Sequence, residues 1–154
     1  IYARGDYYHQ YVSEDYGHKW RAKDPPADVK ICYGSTLQFI DAYRPMAIDP
    51  HDGNHVFVID NKTLLESHDS CDTTNTFASA PNTSMNSIAF DPGKPDTLYA
   101  GTDGGAYISF DSGKTWNQVN AGLPDITVVY SIAVDKDSNV YAATPFGIFK
   151  LEGR

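Results

Sequence analysis

The stretch "SIAFDPGKPDTLYAGTDGGAYISFDSGKTW", residues 87–116, decides the fold. Within it the run "TLYAGT" is bounded by the turn-rich "DPGKPD", and the same pairing recurs elsewhere as "HVFVI" after "DPHDGN" and "NVYAAT" with "DKDSN". Short runs rich in Val, Tyr, Phe and Thr, punctuated by Gly, Pro, Asp and Asn and lacking a helical period, predict strand, turn, strand. The expected class is all-β.

Self-similarity extends the reading outward. "MAIDPHDGNHVFVI" begins at Met46, "SIAFDPGKPDTLYAGT" at Ser87 and "SIAVDKDSNVYAAT" at Ser131. Ala47, Ala89 and Ala133 align at separations of 42 and 44, each followed by an apolar residue and then Asp49, Asp91 or Asp135. That period matches one blade of a β-propeller. The end of the opening stretch repeats as well. "SEDYGHKW" sets Ser13, Asp15, Gly17 and Trp20 at the spacing of Ser109, Asp111, Gly113 and Trp116. "SHDSCDTT" is an eroded copy with Ser67, Asp69 and Thr73, where Cys71 takes the glycine position and Thr74 the tryptophan position. In the last repeat Leu151 and Gly153 fall where Ser109 and Asp111 would stand, so the box is absent there.

The S-x-D-x-G-x-T-W pattern of Ser109, Asp111, Gly113, Thr115 and Trp116 resembles the Asp-box, or BNR repeat. That repeat occurs in sialidases, xyloglucan-cleaving glycoside hydrolases, sortilin-type receptors and photosystem assembly propellers. Residues 89–116 look most like blades of the xyloglucanase-like group. The resemblance implies a hairpin turn between the third and fourth strands of a blade. Its Ser and Asp bond nearby backbone groups, its glycine takes φ > 0, and Trp20 and Trp116 wedge between blades. Ser109 and Asp111 are therefore expected to be structural; a nucleophilic serine needs a histidine base, and the nearest upstream is His68. The implied blades are 1–26, 45–81, 87–124 and 130–154, with 27–44 irregular or inserted. That makes roughly three and a half four-stranded antiparallel blades, a partial or oligomer-closed propeller.

Composition bounds the partners. The 154 residues suit one domain, and a net charge of −8 argues against nucleic acid and anionic membranes. No apolar run approaches the roughly 20 residues of a membrane span. The opening "IYARGD" has no leader-like pattern and is read as the start of a mature or trimmed chain. Cys32 and Cys71 allow one bridge in an oxidising compartment or two free thiols. Neither lies near a cluster of histidines, so no metal and no cofactor are expected.

Candidate chemistry is sparse. A sialidase needs converging arginines, but Arg44 is followed directly by Pro45 and the others are Arg4, Arg21 and Arg154. A glycoside hydrolase needs two carboxylates. Asp49, Asp91 and Asp135 recur and read as architecture; among the non-repeating acids Asp6, Asp41 and Asp60, Asp41 in "FIDAYRP" is the one catalytic candidate. "DKDSN" resembles a calcium loop but fails at Val140 and Phe146. The RGD at residues 4–6 reads as chance. Asn61 and Asn82 stand in glycosylation sequons. Tyr7, Tyr8, Tyr11 and Tyr16 offer core packing or sugar-stacking faces. The expectation is an extracellular, non-catalytic module that binds a glycan or protein and associates with further blades from the same or other chains. The alternative is part of a xyloglucanase-like glycoside hydrolase.

Overall fold

The structure, a computed structural model, describes residues 2–4, 10–12, 18–19, 21–23, 45–60, 63–69, 75–77, 81, 83–125 and 127–151. All regular structure among them is antiparallel β, in two compact units. The first unit holds β1 (Tyr2–Arg4), β2 (Gln10–Val12) and β3 (Arg21–Lys23), ordered β1-β2-β3 with Tyr2 opposite Val12 and Val12 opposite Arg21.

The second unit contains three meander sheets. One runs β4 (Met46–Ile48), β5 (Val56–Asp60), β6 (Thr63–Ser67), β7 (Asn75–Phe77). The next runs β8 (Met85–Phe90), β9 (Leu98–Thr102), β10 (Gly105–Ser109), β11 (Asn117–Gln118). The last has three strands, β12 (Ser131–Val134), β13 (Val140–Thr144) and β14 (Gly147–Leu151). The first strands sit side by side, β8 against both β4 and β12. This is the blade arrangement of a propeller, and the chain forms part of one. The segment 27–44 lies outside the described residues.

Period-two alternation explains the stacking. In β8, Ile88 and Phe90 join Phe57, Ile59, Leu64, Leu98 and Ala100 in a core between the β4–β7 and β8–β11 sheets. Ala89, between them in sequence, faces the opposite way, into the core of Tyr99, Ala106, Ile108, Val129, Ile132 and Ala142 shared with the β12–β14 sheet. Gly101 lets the segment leading into β12 approach the β8–β11 sheet, because a Cβ there would lie 2.7 Å from Val129 Cγ1. Polar ties cross the same boundary. Val129 N–H donates to Thr102 O at 2.9 Å, Asn86 Nδ2 donates to Val129 O at 3.1 Å, and Ser138 Oγ donates to Asp91 Oδ1 at 2.6 Å.

Trp116 packs against the core between the β4–β7 and β8–β11 sheets, but it is only half-buried. A fully buried aromatic truncated to Ala costs about 3–5 kcal/mol; with part of its area still in water, Trp116→Ala should cost about 2 kcal/mol. Leu98, fully buried in the same core, should cost about 3 kcal/mol or more as Leu98→Ala. Chemical denaturation of the two variants is expected to rank Leu98→Ala as the less stable; the reverse order would contradict this packing.

Candidate functional site

Three arrangements in the second unit carry polar or binding chemistry. The first is the turn after β10. Ser109 Oγ donates to Asp111 Oδ1 at 2.8 Å and accepts from Gly113 N–H at 2.8 Å. Asp111 in turn accepts from Thr115 N–H at 2.8 Å and Thr115 Oγ1 at 2.6 Å. Gly113 has φ of 83°, the left-handed region that a glycine occupies without a Cβ penalty. Thr115 on Asp111 is the largest of the interactions that hold this carboxyl down, from 3.8 to about 2. After β6, Ser67 Oγ donates to Asp69 Oδ1 at 2.8 Å in the same geometry. Ser109 and Asp111 are thus spent on each other and on their own turn, and the described residues bring no histidine to Ser109. Ser13, Asp15, Gly17, Trp20, Cys32, Asp41, Asn61, Cys71, Thr73 and Asn82 lie outside the described residues.

The recurring aspartates after the first strands also close turns. Asp49 Oδ1 accepts from His51 N–H at 2.8 Å, Asp91 Oδ1 from Gly93 N–H at 3.0 Å, and Asp135 Oδ1 from Asp137 N–H at 2.9 Å. Each is an i to i+2 Asx turn. Asp135 also accepts from the Asn139 side chain and backbone, which holds its carboxyl below the ordinary value, the side-chain bond contributing most. The residues of "DKDSN" therefore form a hairpin turn around Asp135.

The second arrangement was not legible in linear spacing. His55, Glu66 and His68 converge at the end of the β5–β6 ladder, one donor atom from each within 4.8 Å of the others. The register that pairs Val56 with Ser67 sets His55 and His68 across from each other. His55 Nε2 lies 3.0 Å and His68 Nε2 3.2 Å from Glu66 Oε1. The other nitrogen of His55, Nδ1, lies 3.1 Å from Asp49 Oδ2. His55 is buried and His68 exposed, and their rings stack at 4.5 Å. Burial pushes the Asp49 carboxyl up, but the His51 N–H and the His55 ring outweigh it and leave the group below its ordinary value.

The third is an open groove of about 320 Å³ along the first strands, lined among others by Met46, Ile48, Pro50, Ile88, Pro92 and Val134. Every lining side chain is apolar. Met46 and Ile48 are 52% and 54% exposed.

Comparison with known proteins fits this geometry. The Sortilin-Vps10 family model, described as "Sortilin, neurotensin receptor 3", matches residues 8–145. No functionally curated protein matches the chain. Among solved structures, the chain is similar to the GH74 xyloglucanase from Xanthomonas campestris, with TM-score 0.56, 18% identity, 70% of this chain covered and 22% of that one. It is also similar to the extracellular domain assigned to a one component system from B. thetaiotaomicron, with TM-score 0.55, 18% identity and coverage of 95% and 19%. A third likeness is to YCF48 from Cyanidioschyzon merolae, with TM-score 0.51, 16% identity and coverage of 92% and 62%. At these identities the likeness speaks for the fold alone, and the chain spans 22% of the xyloglucanase's length.

The lowered Asp111 pKa has a definite sign. The folded state favours the carboxylate, so its contribution to stability is present above the ordinary value of 3.8 and is lost as the pH falls through about 2. Urea denaturation of the native chain and Asp111→Asn is expected to show a stability gap at neutral pH that closes between these values. A gap unchanged down to the lower end would show that Asp111 does not act as a carboxylate in the turn.

Proposed function

Because the chain belongs to the Sortilin-Vps10 family, we propose that it is an extracellular, non-catalytic propeller segment whose first-strand groove takes an apolar stretch of a protein partner. The observation that carries this reading is the groove itself. Met46, Ile48, Pro50, Ile88, Pro92 and Val134 offer desolvation and no hydrogen-bonding side chain. A sugar ring needs polar side chains for its hydroxyls, so a glycan suits this groove less well than a peptide does. The family's description, which names a neurotensin receptor, accords with a peptide ligand and with a location outside the cell. Among the described residues no helix is long and apolar enough to cross a membrane.

The non-catalytic part rests on where the acids are used. Asp49, Asp91, Asp111 and Asp135 are all held by their own turns. The Ser109–Thr115 turn we read as an Asp-box, a structural element of the blade. The hydrolase alternative depends on Asp41, outside the described residues. An array of linear peptides and a panel of polysaccharides, including xyloglucan and β-glucans, separates the readings. Peptides rich in apolar residues are expected to bind, and Ile48→Glu to weaken them at least about tenfold, since one buried charge outweighs the apolar gain, with the melting temperature kept. Release of reducing sugar that is lost in Asp41→Asn would overturn the proposal.

The outer face of the β12–β14 sheet supports a scaffold role. Ser87, Ala89, Tyr99 and Ala106 on the preceding sheet are covered by that sheet. Their counterparts Ser131, Ala133, Tyr141 and Ile148 face outward, with Ile148 78% exposed. We take this face to be the seat of a further blade. Light scattering should find the chain self-associating as concentration rises, and Ile148→Asp shifting it toward monomer. A native chain that stays monomeric throughout would remove this part of the proposal.

A further inference from the structure

We propose that His55, Glu66 and His68 form a zinc site, with Asp49 as its positioning residue. The four side chains form one line of contacts. Asp49 Oδ2 faces His55 Nδ1 at 3.1 Å, His55 Nε2 faces Glu66 Oε1 at 3.0 Å, and that same oxygen faces His68 Nε2 at 3.2 Å. A carboxylate beside Nδ1 accepts a hydrogen bond from the ring N–H there, which keeps the proton on Nδ1 and leaves the Nε2 lone pair toward Glu66. A lone pair and a carboxylate oxygen at this separation repel unless a positive charge lies between them. Two imidazole nitrogens and one carboxylate oxygen form the donor set that zinc takes in three-ligand sites, with the fourth position left to water or substrate.

The surroundings favour a bound cation. His55 is buried and walled by Phe57 and Phe90, whose ring centroids lie 5.1 and 5.4 Å away. A low-dielectric wall strengthens the attraction between a cation and its ligands. His68 is exposed. Its ring lies 12° from parallel to that of His55, and both Nε2 atoms face the same Glu66 oxygen. Closing the site requires only that this surface ring turn about its side-chain bonds.

Comparison along the chain sets these residues apart from the scaffold. Asp49 recurs as Asp91 and Asp135. In the next sheet, where Leu98 pairs with Ser109 as Val56 pairs with Ser67, the positions of His55, Glu66 and His68 hold Thr97, Ile108 and Phe110. The turn-closing acid is part of every repeat; the donor set occurs in one.

The test uses the full chain, freed of metal with EDTA and titrated with zinc chloride against a chromogenic chelator. One zinc per chain is expected. His68→Ala, a surface change, and Glu66→Gln should each weaken binding at least about tenfold, in the range that loss of a metal-site partner produces. His18→Ala should leave it unchanged, because His18 lies outside the donor set. Cobalt in place of zinc adds a spectroscopic readout. Visible absorption of four-coordinate cobalt is expected with the native chain, is lost in His68→Ala and is shifted in Asp49→Asn. No saturable binding, or equal zinc affinity in the native chain and His68→Ala, would overturn the proposal and leave a histidine hydrogen-bonded between two carboxylates.

Discussion

Ile88 and Ala89 are neighbours in sequence and belong to different cores. That division is the constraint on which the second unit depends. A sheet buried on both faces cannot satisfy its apolar residues alone, so each sheet is stable only between neighbours. The consequence is visible in residue size. At the close approach of Val129 the chain places Gly101, while the large rings of Phe57, Phe90 and Tyr99 fill the two cores. Hydrogen bonds from Val129, Asn86 and Ser138 then fix the angle that apolar packing leaves free.

Stacking leaves strand ends exposed, and the turns there close themselves with polar side chains. Ser109 with Asp111, Ser67 with Asp69, and the aspartates that follow β4, β8 and β12 all bond within a few residues of their own position. The bonds that close such turns are local, although Asp91 also reaches the next sheet through Ser138, so the turns tolerate repetition and erosion alike. They also remove serine and aspartate from chemistry. An Asp whose oxygens accept from Thr115 hydroxyl and backbone is a poor general base, because its charge is already satisfied.

How much of this was legible in the sequence follows from the range of each interaction. Strand order, blade period and the Ser109–Thr115 turn rest on contacts within a few residues or on a repeat, and both leave a linear trace. The half-burial of Trp116 left none, because it depends on the depth of the seat that the neighbouring sheet provides. Nor did the histidine site. His55 and His68 are 13 positions apart, and only the Val56 to Ser67 register places them together. A reader who had fixed that register by aligning Ser67 with Ser109 could have found the pair.

Repetition itself separates scaffold from function. A residue required by every blade is selected for stacking or turn closure, and its chemistry is shared by all copies. A residue that departs from the repeat gives up one of those contributions and needs another reason to persist. In the next sheet two of these positions carry Ile108 and Phe110, and in the last sheet the Glu66 position carries Lys150; only in the β4–β7 sheet do Glu66 and His68 stand beside a buried histidine ring, that of His55. Glu66 stands on the face that packs toward the β8–β11 sheet, where a carboxylate without a positive neighbour would cost several kcal/mol, on the order of the penalty for any buried unpaired charge. A cation held jointly with His55 and His68, whose Nε2 atoms both face Glu66 Oε1, offsets that cost, so the three residues depend on one another: without both histidines the carboxylate is the uncompensated group at the edge of the core.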